Sequence, residues 1–184
     1  MDIGVVNMYS TLTESNYLVN ALLSMGHRPH IIHGYKETQK KILQQIKDST
    51  ISHWICSGSA TTVIEANSPQ IPLGVLKLKG KRFMMICYSM ESILFQLGVK
   101  IHKRNVCKKE LFHLTIPDGY GVKNPMVARR NHWWYFSPRS VHGLIAQYDG
   151  EAMIAKYKNA LLVQFHPEKT PDGKKFIAHW LTTI

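Results

Sequence analysis

Cys87 stands in "KRFMMICYSMESILFQLG", where an apolar run gives way to a helical pattern. Met84, Met85 and Ile86 suit a short buried strand, and Met90, Ile93, Leu94 and Leu97 recur at helical spacing. A cysteine at such a turn has its sulfur above the sheet and a helix N-terminus to favour its thiolate. That is a nucleophile's position, although an inert buried cysteine would fit the same local pattern. Cys56 and Cys107 read as cysteines of that inert kind. A second feature is "LLVQFHPEKTPDG", in which His166 and Glu168 flank Pro167 after an apolar strand. Pro167 biases His166 toward extended backbone. Two residues apart on an extended segment, the Glu168 carboxylate is expected to reach one ring nitrogen of His166 and leave the other for chemistry. A base with its own orienting acid, added to a thiol, makes a triad; without Cys87 the same three residues would read as a surface turn.

The elements that must position these groups follow an alternating order. "DIGVVN" reads as a strand, and Leu12, Tyr17, Leu18, Ala21, Leu22 and Met25 mark a helix closed by Gly26. "HRPHII", "SHWICS" and "RFMMIC" are further strands, with helices over "ETQKKILQQIKD" and "SMESILFQL". Strands alternating with helices imply a parallel sheet covered on both faces. After Gly98 the pattern turns to short strand candidates, "MVARRN", "GLIAQYD", "EAMIAKYK" and "ALLVQF", expected as an antiparallel extension. "PDGKKFIAHWLTTI" closes the chain as a helix. Ligands of open α/β sheets gather at the strands' carboxyl ends, where Gly58, Cys87 and the residues after Phe165 fall.

The 184 residues are 45% hydrophobic, enough for one core and one domain. The N-terminus has no secretory pattern, and no apolar run approaches the roughly 20 residues of a membrane span. Three widely spaced cysteines suit a reducing, cytoplasmic setting rather than a disulfide framework. The ten histidines show no zinc-ligand spacing, so neither metal nor cofactor is expected. The net charge is +11. Lys77, Lys79, Lys81, Arg82, Lys100, Lys103, Arg104, Lys108 and Lys109 crowd one stretch of sequence, a solvated surface or a docking face for an acidic partner. No RNA-binding or helix-turn-helix signature points to nucleic acid.

In order and spacing, "VVNMYST", "SGSATTVIEANSPQIP", "ICYSM" and "LVQFHPEKT" resemble the class I glutamine amidotransferase domains, nearest in look to the amidotransferase part of GMP synthetase. The resemblance covers essentially the whole chain. It implies a single flavodoxin-like α/β domain over 1–184, in which Cys87 attacks the side-chain amide of glutamine. A thioester forms, and His166, held by Glu168, protonates the departing ammonia and later activates water. The resemblance further implies oxyanion donors at the Ser59 and Tyr88 backbone beside Gly58. It places glutamine-binding positions at Glu91, Asn131, Trp133 and Trp134, where the two tryptophans suit aromatic packing equally well. Without an SGGxDS-type or Walker loop in these residues, amination is expected on a separate synthetase partner, docked on the basic face.

The pattern departs from that family at five positions. Met85 and Ser89 replace the glycines that flank the nucleophile elbow, which calls for a relaxed or locally widened turn. Glu91 stands for a common glutamine, Ser59 for a glycine, and Trp133 for another glycine. Two alternatives to a glutaminase follow: a hydrolase of another amide, such as a γ-glutamyl compound, and a weakly active or inactive binding or regulatory protein.

Overall fold

The computed structural model describes residues 1–183, apart from the side chains of Leu12, Glu14 and Ser15. Ile184 and the expected apolar contact of Leu12 therefore lie outside the described residues. In chain order the strands are β1 (Asp2–Val6), β2 (Arg28–Ile32), β3 (His53–Cys56), β4 (Arg82–Ile86), β5 (Ile101–Leu114), β6 (Met126–Phe136), β7 (Leu144–Tyr148), β8 (Glu151–Tyr157) and β9 (Ala160–Val163). The helices are α1 (Leu12–Ser24), α2 (Gln39–Asp48), α3 (Tyr88–Gln96) and α4 (Pro171–Thr182).

Seven strands form one sheet in the order β2-β1-β3-β4-β9-β8-β7. The first five are parallel neighbours, and β8 and β7 continue antiparallel from β9. The alternation of side chains along each strand sorts the core into two layers. Val5, Ile55, Met84 and Ile86 face Leu18 and Leu22 of α1 and Phe176 and Ile177 of α4. Val6, Cys56, Phe83 and Met85 face Ile42 and Ile46 of α2 and Ile93 and Leu94 of α3. Both faces are thus covered, as strands with almost no polar side chains require. Among the described residues, no helix is long and apolar enough to cross a membrane.

Two expectations about the second half need correction. "ALLVQF" joins the sheet as β9, parallel to β4, and only β7 and β8 make the antiparallel extension. "MVARRN" is the start of a longer strand, β6, that runs through Phe136 and pairs with β5 in a separate two-stranded arm. Sequence patterning did not reveal β5, whose alternation is broken by charges and by a register shift between Lys103 and Lys108.

A buried ionic cluster fastens this arm to the sheet. Glu151, fully buried at the start of β8, accepts from His132 Nε2 at 2.7 Å, from Arg130 Nη1 at 3.3 Å, and from Arg104. Arg130 also donates to Asp149 Oδ2 at 2.9 Å and, through Nε, to Glu110 Oε1 at 3.0 Å. Burial pushes the Glu151 carboxyl up, but the His132 hydrogen bond and charge and the Arg104 guanidinium outweigh it and hold it below its ordinary range.

Candidate active site

Cys87 leaves β4 with φ +48° and ψ −106° and serves as the N-cap of α3. A non-glycine residue in that region is strained, and the surroundings must hold it there. Its N–H donates to the Val163 carbonyl at 2.7 Å, and its own carbonyl accepts from the Glu91 N–H at 3.0 Å. The elbow is therefore sharp and not relaxed, in contrast to the expectation from Met85 and Ser89. Met85 sits wholly in the α2/α3 core layer, and the Ser89 hydroxyl donates to the Ser57 carbonyl at 2.6 Å, so both are absorbed without widening the turn.

The sulfur is not the exposed, activated thiolate that a helix N-terminus alone would give. Burial pushes the Cys87 thiol well above its ordinary value, and the Glu91 and Glu168 charges add to the effect. The Tyr88 backbone N–H and the charge of Lys169 act in the opposite direction, favouring the thiolate. Tyr88 N–H is thus aimed at the sulfur.

His166 and Glu168 come from the end of β9, the parallel neighbour of β4. His166 Nδ1 and Glu168 Oε1 are 2.8 Å apart, and both residues are buried. The expected contact is made, but not along an extended strand. The chain turns through a 3₁₀ segment, Pro167–Lys169, immediately after His166, and this turn folds the carboxylate back beneath the ring. Burial raises the Glu168 carboxyl, yet attraction to His166 and its hydrogen bond prevail and keep it below its ordinary value. Two local features hold the turn. The Thr170 hydroxyl caps α4 by accepting from Gly173 N–H at 3.0 Å, and a Cβ on Gly173 would stand 2.2 Å from the Pro167 carbonyl oxygen.

Gly58 leaves room for the histidine and for Tyr9. A Cβ there would lie 2.8 Å from the Tyr9 hydroxyl and 3.0 Å from His166 Cε1. Beyond it, Ser59 lines both a cavity of about 390 Å³ containing Cys87 and an adjoining one of about 190 Å³ containing His166. Asn131 also borders both, so the thiol side and the imidazole side share a wall.

The larger cavity brings together Cys87, Tyr88, Glu91, Asn131, Trp133 and Trp134 of the expected site. Trp133 is 45% exposed, which excludes a core-packing role for that indole. Cys107, expected to be inert and buried, is half-buried and lines the same cavity, its Sγ 3.7 Å from Asn131 Oδ1. Cys56 does sit in the core.

Three residues that sequence reasoning passed over also belong here. Gln164 is fully buried and donates to Glu91 Oε1 at 2.9 Å, with the same nitrogen 3.9 Å from Cys87 Sγ. His132 lines the cavity and is anchored by Glu151 from behind. Lys103 lines it as well. Their sequence signal is weak: Gln164 precedes the His-Pro-Glu segment by two residues, His132 sits inside "NHWW", and Lys103 is one of many lysines. Burial pushes the Glu91 carboxyl up to about 7 against the pull of the Gln164 hydrogen bond.

Comparison with known proteins decides the family. The model of the class-I glutamine amidotransferase family matches residues 5–183. The chain belongs to the class-I glutamine amidotransferases. Similar relatives of this amidotransferase domain include the GMP synthase [glutamine-hydrolyzing] of Brachyspira hyodysenteriae, 30% identical over 71% of this chain and 27% of that protein. The enzyme of the same name from Zymomonas mobilis is 31% identical over the same shares. The domain thus spans about a quarter of the length of these curated relatives. In fold it is similar to the crystal structure of a Thermoplasma acidophilum protein named for one of the subunits of GMP synthase. The TM-score is 0.72 at 16% identity, covering 98% of this chain and 92% of that one.

Proposed function

We propose that this domain is a glutaminase that releases ammonia for a synthetase partner, through a Cys87-His166-Glu168 triad. The observation that carries this reading is the convergence of the strained Cys87 elbow and the His166–Glu168 pair at the ends of two adjacent parallel strands. Cys87 Sγ attacks the amide carbon of glutamine while its proton passes to His166. The negative charge on the tetrahedral oxygen is met by the Tyr88 backbone N–H and by that of Ser59. Collapse expels ammonia, which takes the proton from His166 and leaves a thioester. Water, deprotonated by the same imidazole, then releases glutamate and restores the thiol. Glu168 holds the imidazole in one tautomer and stabilises its cationic form.

The raised thiol pKa fits a nucleophile that ionises as its proton moves to His166, rather than one stored as thiolate. The domain resembles only the amidotransferase portion of GMP synthases, so a nucleotide-aminating synthetase is the partner class proposed, with the whole chain acting as one domain. Its docking face is a separate matter. Arg82 stacks over Trp180 at the amino end of β4, whereas Lys103 lies on the arm at the Cys87 cavity, so the basic run from 77 to 109 is not one face.

Glu91 favours a second reading, in which a γ-glutamyl amide is the better substrate, because a buried acid replaces a neutral amide beside the reacting group. Comparing turnover of L-glutamine with that of γ-glutamyl amides separates the two readings, and equal or better use of glutamine counts against the second; a diazo-ketone analogue of glutamine tests the triad itself. Mass spectrometry is expected to find it bound covalently to Cys87 in the wild type and absent in His166→Ala; labelling of Cys107 in place of Cys87 would contradict the triad.

A further inference from the structure

We propose that Lys103 is the carboxylate-recognising residue of the Cys87 cavity and that, with Glu91, it selects a zwitterionic α-amino acid as the amide substrate. This rests on reading the cavity as the site of amide hydrolysis. Lys103 is the last β5 residue paired with β6, opposite Trp134, before the register shifts ahead of Lys108. Its ammonium lies 5.4 Å from the Trp134 ring centre and 5.9 Å from that of Trp133. The indole faces attract the cation and restrict its motion, so a long flexible side chain is partly ordered before any ligand arrives.

Charge bookkeeping around the cavity separates Lys103 from its neighbours. Arg104 and Lys108 are engaged with Asp149, and Arg104 with Glu151 as well. Among the described residues Lys103 enters no ion pair, and it borders the cavity. The acids of the same cavity are Glu91, from α3, and Glu65, from the loop after β3. Glu91 is buried, and the side chain that hydrogen-bonds it is the neutral amide of Gln164. One cation and one buried acid therefore reach the cavity without a counter-charge on each other. A free amino acid brings both missing partners on a single carbon: an ammonium for Glu91 and a carboxylate for Lys103. A ligand lacking either charge leaves one group unmatched, a penalty largest for the buried acid. The indole of Trp133 thereby forms part of the lysine's seat.

The test compares L-glutamine with L-glutaminamide, which keeps the ammonium and side-chain amide but lacks the carboxylate. In Lys103→Met, which preserves the apolar stem over the indoles, the ratio of kcat/KM for L-glutamine to that for L-glutaminamide is expected to fall roughly tenfold, mainly through the KM for L-glutamine. Lys103→Arg is expected to restore most of it. An unchanged ratio would overturn the proposal while leaving the hydrolase reading intact. Titration calorimetry of L-glutamine into Cys87→Ala, with and without Lys103→Met, reads the same selection without turnover. Weaker or lost binding in the double variant supports it, and equal binding by the two proteins, or none by Cys87→Ala itself, overturns it. Lys103-dependent binding together with a wild type that never releases glutamate would instead sink the hydrolase reading alone.

Discussion

Glu91 lies four residues after the nucleophile and is buried without a cation. Its carboxyl, raised from 4.5 to about 7, makes the folded state hold a proton that the unfolded chain has released. Stability contributed by this group is complete below about pH 4.5 and is lost as pH rises through about 7. Glu91→Gln removes the dependence: it is expected to be more stable than wild type at pH 8, by on the order of 3 kcal/mol, and close to it at pH 4, as read by urea unfolding at the two pH values. The same variant removes one source of the raised Cys87 thiol, so alkylation of Cys87 by iodoacetamide at pH 7.5, roughly the physiological range, is expected to be faster than in wild type. Cys87, His166 and Glu168 were legible in the sequence because their chemistry is local, each announced by a turn or a proline. Gln164, His132 and Lys103 were not, because what assigns them is a partner far along the chain: Glu91, Glu151 and the two indoles.

At the scale of elements, the first four strands and all four helices follow from periodicity, since β1, β3 and β4 are short buried apolar runs, β2 is a short edge strand between helical segments, and each helix has an apolar stripe. Which neighbour a strand chooses is not written in its own residues. "ALLVQF" reads the same whether it pairs parallel or antiparallel, and only the fold sets β9 beside β4. The arm strand β5 escaped because its polar run reads as loop, while Arg104 and Lys108 find their partners, Glu151 and Asp149, across the fold. The His-Pro-Glu turn depends on the element that follows it. Thr170→Ala removes the cap of α4 and is expected to cost about 1 kcal/mol in urea unfolding. Because the turn carries Glu168, the same variant is expected to lower kcat more than it raises KM. Restored activity in Thr170→Ser, which keeps the hydroxyl, would show that the cap is responsible.

Across the whole molecule, the two-stranded arm brings Lys103, Asn131, Trp133 and Trp134 to a cavity whose other walls are the loop after β3, Cys87 and the start of α3. Arg104, Arg130 and His132 converge on Glu151 to hold the two parts together. Glu151→Ala leaves the buried Arg130 guanidinium and the buried His132 ring without their shared acceptor and is expected to cost about 3–5 kcal/mol, measured by chemical unfolding. Near-neutral behaviour would mean that the arm docks by its apolar contacts alone. The family and the parallel sheet were foreseeable from motif order and alternation, while the separate arm and its ionic seam were not, because both rest on contacts between distant segments. The central claim is that these parts together hydrolyse the side-chain amide of glutamine through Cys87. The most direct measurement is glutamate release from L-glutamine by the purified chain, with and without a GMP synthetase lacking its own amidotransferase, beside Cys87→Ala. Release that disappears in Cys87→Ala is the predicted result; release that persists in that variant, or none from the wild type under either condition, would contradict it.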